Sequence, residues 1–142
     1  MDHKNFEFLI IDDGSTDKTV KLIMSYDDSR INTILNEKNI GHAKSLNKGI
    51  SLAKGEYIAI FDADFLPKAD WLKLTIPYFK DNKVGVVQTR WSHINRDYSV
   101  LTKIQAFALD AHFSLEQVGR NSKGHFINFN GTAGIWRKIC II

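Results

Sequence analysis

A chain of 142 residues with 44% hydrophobic residues is long enough for a single domain with its own core. Its net charge of +3 comes from 19 basic and 16 acidic residues that are interspersed, which excludes a nucleic-acid stripe and leaves a mild preference for anionic ligands. No apolar run approaches the roughly 20 residues of a membrane span and no signal-peptide pattern is found, so the chain by itself is expected to be soluble; the lone Cys140 excludes an internal disulfide or cysteine zinc site and suits a reducing compartment.

Phe6 to Ile11 predicts the first strand, ending in Asp12-Asp13. Gly14 then permits a tight turn, and Ser15 or Thr16 is placed to N-cap a helix over about Asp17 to Tyr26 with Val20, Leu22 and Ile23 apolar. Asp27-Asp28-Ser29 breaks that helix, and Ile31 to Leu35 predicts a short second strand. Asn36 to Gly41 is loop by composition. His42 to Lys54 has helical spacing, with Ala43, Leu46, Ile50 and Ala53 on one side and Gly55 as its C-cap. On this helix Lys48 reads as a solvated lysine; Lys44, nearer the start, is either solvated or within reach of a phosphate.

Tyr57 to Phe61 carries no charge and predicts a strand buried on both faces, as in a parallel α/β sheet. Asp62 and Asp64 follow at its C-terminal end, the edge of such a sheet where ligands bind. A helix from about Asp70 to Phe79 comes next, with Trp71, Leu72, Leu74 and Phe79 as core and Pro77 marking a bend or early end. Val84 to Arg90 predicts another strand, giving βαβαβαβ with short connections: a mostly parallel sheet with helices on its faces. Tyr98 to about Gln117 reads as a long helix burying Leu101, Ile104, Ala108, Leu109 and Leu115, and an aromatic segment, His125 to Asn130, leads into Gly131 to Arg137.

On a continuing strand, Asp62 and Asp64 would point to one face. Two such carboxylates repel, and a divalent cation with a preference for hard oxygen ligands, Mg²⁺ or Mn²⁺, relieves the repulsion. The plainer alternative is a helix cap and a solvated turn residue. The second acidic strand end at Asp12-Asp13 favours a cation or nucleotide site.

With these residues in view, the chain resembles the family 2 glycosyltransferases. Asp12-Asp13-Gly14-Ser15-Thr16-Asp17 is similar to the family's acidic turn. Asn39-Ile40-Gly41 with Leu46-Asn47-Lys48-Gly49 is similar to its asparagine-glycine helix start, and Ala53 through Asp64 to its Asp-x-Asp strand. Val87-Gln88-Thr89-Arg90-Trp91, Asp110-Ala111-His112-Phe113 with Glu116-Gln117, and Phe129 through Arg137 narrow the resemblance to the processive, cellulose-synthase-like branch of glucomannan and mannan synthases.

The resemblance implies a Rossmann-like GT-A nucleotide-sugar-binding fold, incomplete at both ends, with residues 1–142 forming a single partial catalytic domain. It implies an inverting transferase of β-glycan synthesis that moves a sugar from a UDP- or GDP-linked donor to a glycan acceptor. Asp12 or Asp13 would bond the nucleotide base. Asp62 would lie against the ribose or diphosphate, and Asp64, with Asp62, would hold the Mg²⁺ or Mn²⁺. Asn130, Gly131 and Thr132 would form the acceptor side, where Trp91 and Trp136 are further candidates because sugars stack on aromatics. The family's first strand is expected before Phe6 and its general base beyond Ile142, so that no catalytic base is assigned within the chain and sugar transfer is not expected of the chain alone. Membrane attachment on the cytosolic side would come only through segments outside it.

His93 and His112 show no zinc-type spacing and are expected to be satisfied structural histidines. Asp110 and Glu116 point to different sides of a helix, whereas His112 and Glu116 can bond across one turn. Two other functions compete. A phosphoacceptor receiver domain would use Asp12, Asp13 and Asp62 with Thr89 and Lys103, but lacks a Lys-Pro after a fifth strand and leaves residues 121–142 unexplained. A non-catalytic nucleotide-sugar-binding remnant is the other.

Overall fold

The computed structural model describes residues 3–141. They fall into two compact units, one of residues 3–58, 68–85 and 136–141, the other of residues 59–67 and 86–135.

In the first unit, β1 (Phe8–Asp12) and β2 (Ile31–Leu35) pair in parallel from Phe8 opposite Ile31 to Asp12 opposite Leu35. The connecting helix α1 covers only Thr19–Ile23, much less than the predicted Asp17 to Tyr26. Neither Ser15 nor Thr16 caps it: the Ser15 N–H is turned back to Asp12 Oδ2, and Asp17 Oδ1 takes the Thr19 N–H at 2.9 Å. Helix α2 (His42–Leu52) buries Ser45, Gly49 and Ile50, not Ala43, which is exposed. The face is set by Gly49, which has no Cβ and lets the helix close on the Ile11 side chain. The helix stops where Ala53 turns extended at φ −60°, ψ 135°, and Gly55 is not its left-handed cap. Helix α3 (Trp71–Thr75) passes into a 3₁₀ turn, Ile76–Lys80, that begins around Pro77, which cannot donate to an α-helical ladder. Trp71, Leu72, Thr75 and Phe79 are buried there, while Leu74 is exposed.

The second unit holds β4 (Val86–Gln88) and a continuous helical run: α4 (Val100–Ala111), a π-helical segment His112–Gln117, and α5 (Val118–Ser122). Ser99 starts the run with a capping box, its Oγ accepting the Thr102 N–H while Thr102 Oγ1 accepts the Ser99 N–H. The buried face is Ala106, Phe113 and Gln117. The expected core residues Leu101, Ile104 and Leu115 are exposed at 65%, 59% and 74%. The run carries two apolar stripes, and the smaller Ala106 permits the closer approach.

A three-stranded sheet has the order β3-β5-β4, with β3 at Tyr57–Ile60 and β5 at Gly134–Arg137. The Ala133 N–H bonds the Ile60 carbonyl and the Lys138 N–H the Glu56 carbonyl; Arg137 N–H reaches Gly85 and Thr89 N–H reaches Ala133. Strand β5 therefore runs antiparallel to both neighbours. The α/β class and a parallel β1–β2 pair stand as expected, whereas both pairings of the three-stranded sheet are antiparallel because its central strand β5 is reversed. Tyr57 to Phe61 is half-buried apart from Ile60 at 9% exposure, so it is less enclosed than a strand covered on both faces.

Candidate functional site

In the first unit, β1 delivers Asp12 and Asp13 to its C-terminal end. Asp12 is 5% exposed, and its Oδ2 accepts the N–H groups of Gly14 at 3.2 Å and Ser15 at 3.0 Å. The Ser15 hydroxyl and backbone N–H hold this carboxyl below the usual carboxylate range. Gly14 sits at φ +80° with the backbone of Lys38 and Asn39 where a Cβ would go, 2.7 Å away, so only glycine fits the turn.

Asp13 ties the turn to the start of α2. Its Oδ1 accepts the Ile40 N–H at 2.9 Å and Asn36 Nδ2 at 3.0 Å, and its Oδ2 accepts the Gly41 N–H at 2.9 Å. The Ile40 N–H leads the interactions, with those of Ser45, Asn36 and Gly41, that lower this carboxyl to about 2 against the cost of desolvation. Asn36 is buried and also donates to Ser45 Oγ, and its Oδ1 takes the Lys48 ammonium at 2.7 Å. Lys48 is thus a member of this network and not a freely solvated lysine. Lys44, by contrast, is exposed on α2 with no hydrogen bond or ion pair recorded among the described residues.

A carboxyl lowered by folding contributes stability that is present above its unfolded value near 4 and is lost as pH falls toward 2. In thermal melts between pH 5 and pH 2, the midpoint of the native chain should therefore fall more steeply than that of Asp13→Asn. Equal slopes would show that Asp13 does not carry the charge its partners require.

In the second unit, β3 stops at Ile60 and the chain turns: the Phe65 N–H bonds the Asp62 carbonyl at 3.0 Å, closing residues 62–65. Asp62 and Asp64 therefore lie on a turn, not on one face of a continuing strand. Both are exposed, and neither carboxylate has a hydrogen-bond or ion-pair partner among the described residues. The backbone N–H of Asp62 donates to Thr132 Oγ1 at 3.0 Å. This bond ties the turn directly to the loop of Asn130, Gly131 and Thr132.

That loop is tightly held. The Asn130 N–H bonds Gln88 Oε1 at 3.1 Å, Gln88 Nε2 bonds the Thr132 carbonyl at 3.0 Å, and Thr89 Oγ1 bonds the Ala133 carbonyl at 2.6 Å. Gly131 is at φ +80°, and Ala133, fully buried, is at φ 55°. Thr132 is 6% exposed. Trp91 lies edge-on to Phe113 with ring centres 6.2 Å apart. Thus the second unit brings together Asp62, Asn130, Gly131 and Thr132. Trp136 is half-buried on β5 in the first unit, which also holds Asp12, Asp13 and Lys44.

Sequence reasoning missed Gln88 as the brace of this loop and the unsatisfied state of His93, whose Nδ1 is buried without a partner among the described residues. An amide between two strand residues gives no periodic signal. His112 and Glu116 do bond, at 2.9 Å, and Arg120 joins them at 3.2 Å; His112, then Arg120, lower the Glu116 carboxyl. Asp110 instead takes Arg90 and Arg96, which hold its carboxyl low.

No group of three or more His, Cys, Asp or Glu among the described residues is placed to hold a metal ion. Asp62 and Asp64 nonetheless fit a Mg²⁺ or Mn²⁺ of the kind bound by one or two carboxylates and shared with substrate phosphates: their oxygens are hard, exposed and uncommitted. No helix among the described residues is long and apolar enough to cross a membrane.

Comparison with known proteins bears on the same residues. The chain is 42% identical over 137 residues to Glucomannan 4-beta-mannosyltransferase 9 of Arabidopsis thaliana, covering 88% of this chain and 26% of that protein. It is 48% identical over 99 residues to Probable glucomannan 4-beta-mannosyltransferase 4 of Oryza sativa subsp. japonica, covering 67% and 18%. It is 52% identical over 83 residues to Glucomannan 4-beta-mannosyltransferase 1 of Cyamopsis tetragonoloba, covering 58% and 16%. The chain thus spans about a quarter or less of the length of these curated relatives. The family description Glycosyl transferase family 2 matches residues 1–141, and that span takes in the acidic turn, the Asp62–Phe65 turn and the loop bonded to it. With nearly every residue covered, the chain belongs to glycosyl transferase family 2.

Proposed function

We propose that this chain forms the donor-binding part, and the beginning of the acceptor side, of an inverting transferase that moves a hexosyl unit from a nucleotide-diphosphate sugar to a glycan hydroxyl in β-glycan synthesis. The names of the relatives support a mannosyl unit and a glucomannan acceptor. The observation that carries the reading is the hydrogen bond from the Asp62 N–H to Thr132 Oγ1, which couples two uncommitted carboxylates to a braced loop.

In this reading Asp12 and Asp13 shape the nucleotide-base side through the N–H groups they order, and Lys44, an exposed cation on α2, meets a phosphate. Asp62 lies against the ribose or diphosphate, and Asp64 with Asp62 holds the cation. Members of the family generally use a divalent metal ion; the bound ion would neutralise the charge that develops on the departing diphosphate. Asn130, Gly131 and Thr132 orient the acceptor hydroxyl toward the anomeric carbon, with Trp91 and Trp136 as apolar walls for sugar rings. The base that takes the acceptor proton is not among the residues assigned here, and the longer protein is proposed to be membrane-attached with this part on the cytosolic side.

Calorimetric titration of the chain with UDP and with GDP, each with and without Mn²⁺, tests the donor site. Binding of one nucleotide that requires the cation is expected. Equal binding with and without Mn²⁺, or none to either nucleotide, would sink the reading.

A further inference from the structure

Four buried side-chain polar atoms lack a hydrogen-bond partner among the described residues: Trp91 Nε1, His93 Nδ1, Gln117 Oε1 and Asn130 Nδ2. All four belong to the second unit, where they form two touching pairs, Trp91 with His93 and Gln117 with Asn130. Trp91 touches His93, with ring centres 5.6 Å apart, and Phe113. Phe113 and Gln117 lie on the same π-helical segment, and Gln117 Nε2 is 3.4 Å from Asn130 Oδ1. π-helical turns inside α-helices are frequent at functional sites.

The amide orientations follow from the neighbours. His112 Nδ1 faces the Glu116 carboxylate, which can only accept, so in the neutral ring Nδ1 carries the hydrogen and Nε2 presents a lone pair. That lone pair, the Asn128 carbonyl at 2.9 Å and Asn130 Oδ1 all face Gln117 Nε2. Gln117 Oε1 is thereby left as an acceptor without a donor, and Asn130 Nδ2 as a donor without an acceptor. Gln117 is 8% exposed, and leaving a polar group unsatisfied at that burial is destabilising. A hydroxyl, of a sugar or of water, both donates to an amide oxygen and accepts from an amide N–H, and a sugar would also meet the aromatic rings of Trp91 and Phe113.

We propose that Trp91, His93, Gln117 and Asn130 form a carbohydrate subsite for one sugar unit of the acceptor glycan, in which Gln117 Oε1 accepts from, and Asn130 Nδ2 and Trp91 Nε1 donate to, that sugar's hydroxyls. This rests on the acceptor-side reading above and adds Gln117 and His93 to it. Trp91 to His93 lies outside regular structure.

The test follows the Trp91 indole N–H signal, assigned with Trp91→Phe, as the chain is titrated with β-1,4-linked mannotetraose in the absence of nucleotide. A saturable shift is expected, with binding about tenfold or more weaker in Gln117→Leu. Gln117→Glu keeps the volume and the accepting oxygen, and should bind more tightly than Gln117→Leu even though it loses the bond to the Asn128 carbonyl. An indole signal that stays unmoved while the sugar binds, or equal binding by wild type and Gln117→Leu, would overturn the subsite. So would an indole partnered by an ordered water that the sugar does not displace. Cation-dependent nucleotide binding without any mannotetraose binding would remove the subsite and leave the donor reading standing.

Discussion

Asp64→Ala should abolish the cation-dependent part of nucleotide binding, weakening it on the order of a hundredfold or more, while the thermal midpoint stays within about 2 °C of wild type. The two halves of this expectation have one cause. Asp64 is exposed on the turn after β3, and its carboxylate is bonded to nothing among the described residues, so the fold does not depend on it. A carboxylate without a partner at such a place is free to hold a cation, and removing it leaves the cation one ligand short. Asp97→Ala is the matched control, an exposed acid paired only loosely with the nearby Lys103 at 3.9 Å. If Asp64→Ala and the control bind nucleotide alike, Asp64 is not a ligand.

Arg137→Met should lower stability by about 3 kcal/mol, the largest loss expected of any single charged residue in the chain. The Arg137 side chain is only 15% exposed and reaches around the first unit from the end of β5. Its Nη2 donates to the Phe79 carbonyl at 2.9 Å, its Nε to the Val84 carbonyl at 3.3 Å, and its guanidinium lies 5.5 Å from the Tyr57 ring centre and 5.4 Å from that of Phe79. Methionine fills part of the volume but leaves two carbonyls without their donors. Arg137→Lys should recover less than half of the loss, because one ammonium cannot span carbonyls that a planar fork reaches together. Urea unfolding measures this as a lower midpoint at unchanged slope. A loss below about 1 kcal/mol would mean that water replaces the guanidinium at those carbonyls.

Local patterns were legible where the chain's own neighbours decide the structure. Strand β2 was read at the observed bounds because turn residues flank a short run in which Ile31, Thr33 and Ile34 favour strands. Helix faces were misread for a physical reason: apolar spacing identifies stripes but not which stripe meets the rest of the protein. In α4 the apolar residues Leu101 and Ile104 face outward while Ala106 packs inside, and the change to π-helical winding at His112 rotates every later residue. The acidic strand ends were visible, yet the roles of their members were not. Asp13 finds partners 23 to 28 residues away in a loop, so nothing near it in sequence distinguishes a carboxylate that orders a helix start from one free for a ligand. Arg137, matched only as part of a motif, showed no sign of its carbonyl partners more than 50 residues away.

Gly131 and Ala133 adopt the same left-handed backbone two residues apart, but they answer to different constraints. At 131 a Cβ would meet nothing within 4 Å, so the demand is conformational alone, and asparagine or aspartate can meet it. At 133 the methyl group is already fully enclosed and the strained φ of 55° costs about 1 kcal/mol or more, so both volume and branching are capped at alanine. The mutational spectrum of this loop is therefore split: position 131 tolerates change in polarity and position 133 does not tolerate change in size. Variation that retunes the loop for a different acceptor has to enter through Asn130 and Gly131, while Ala133 holds the frame constant.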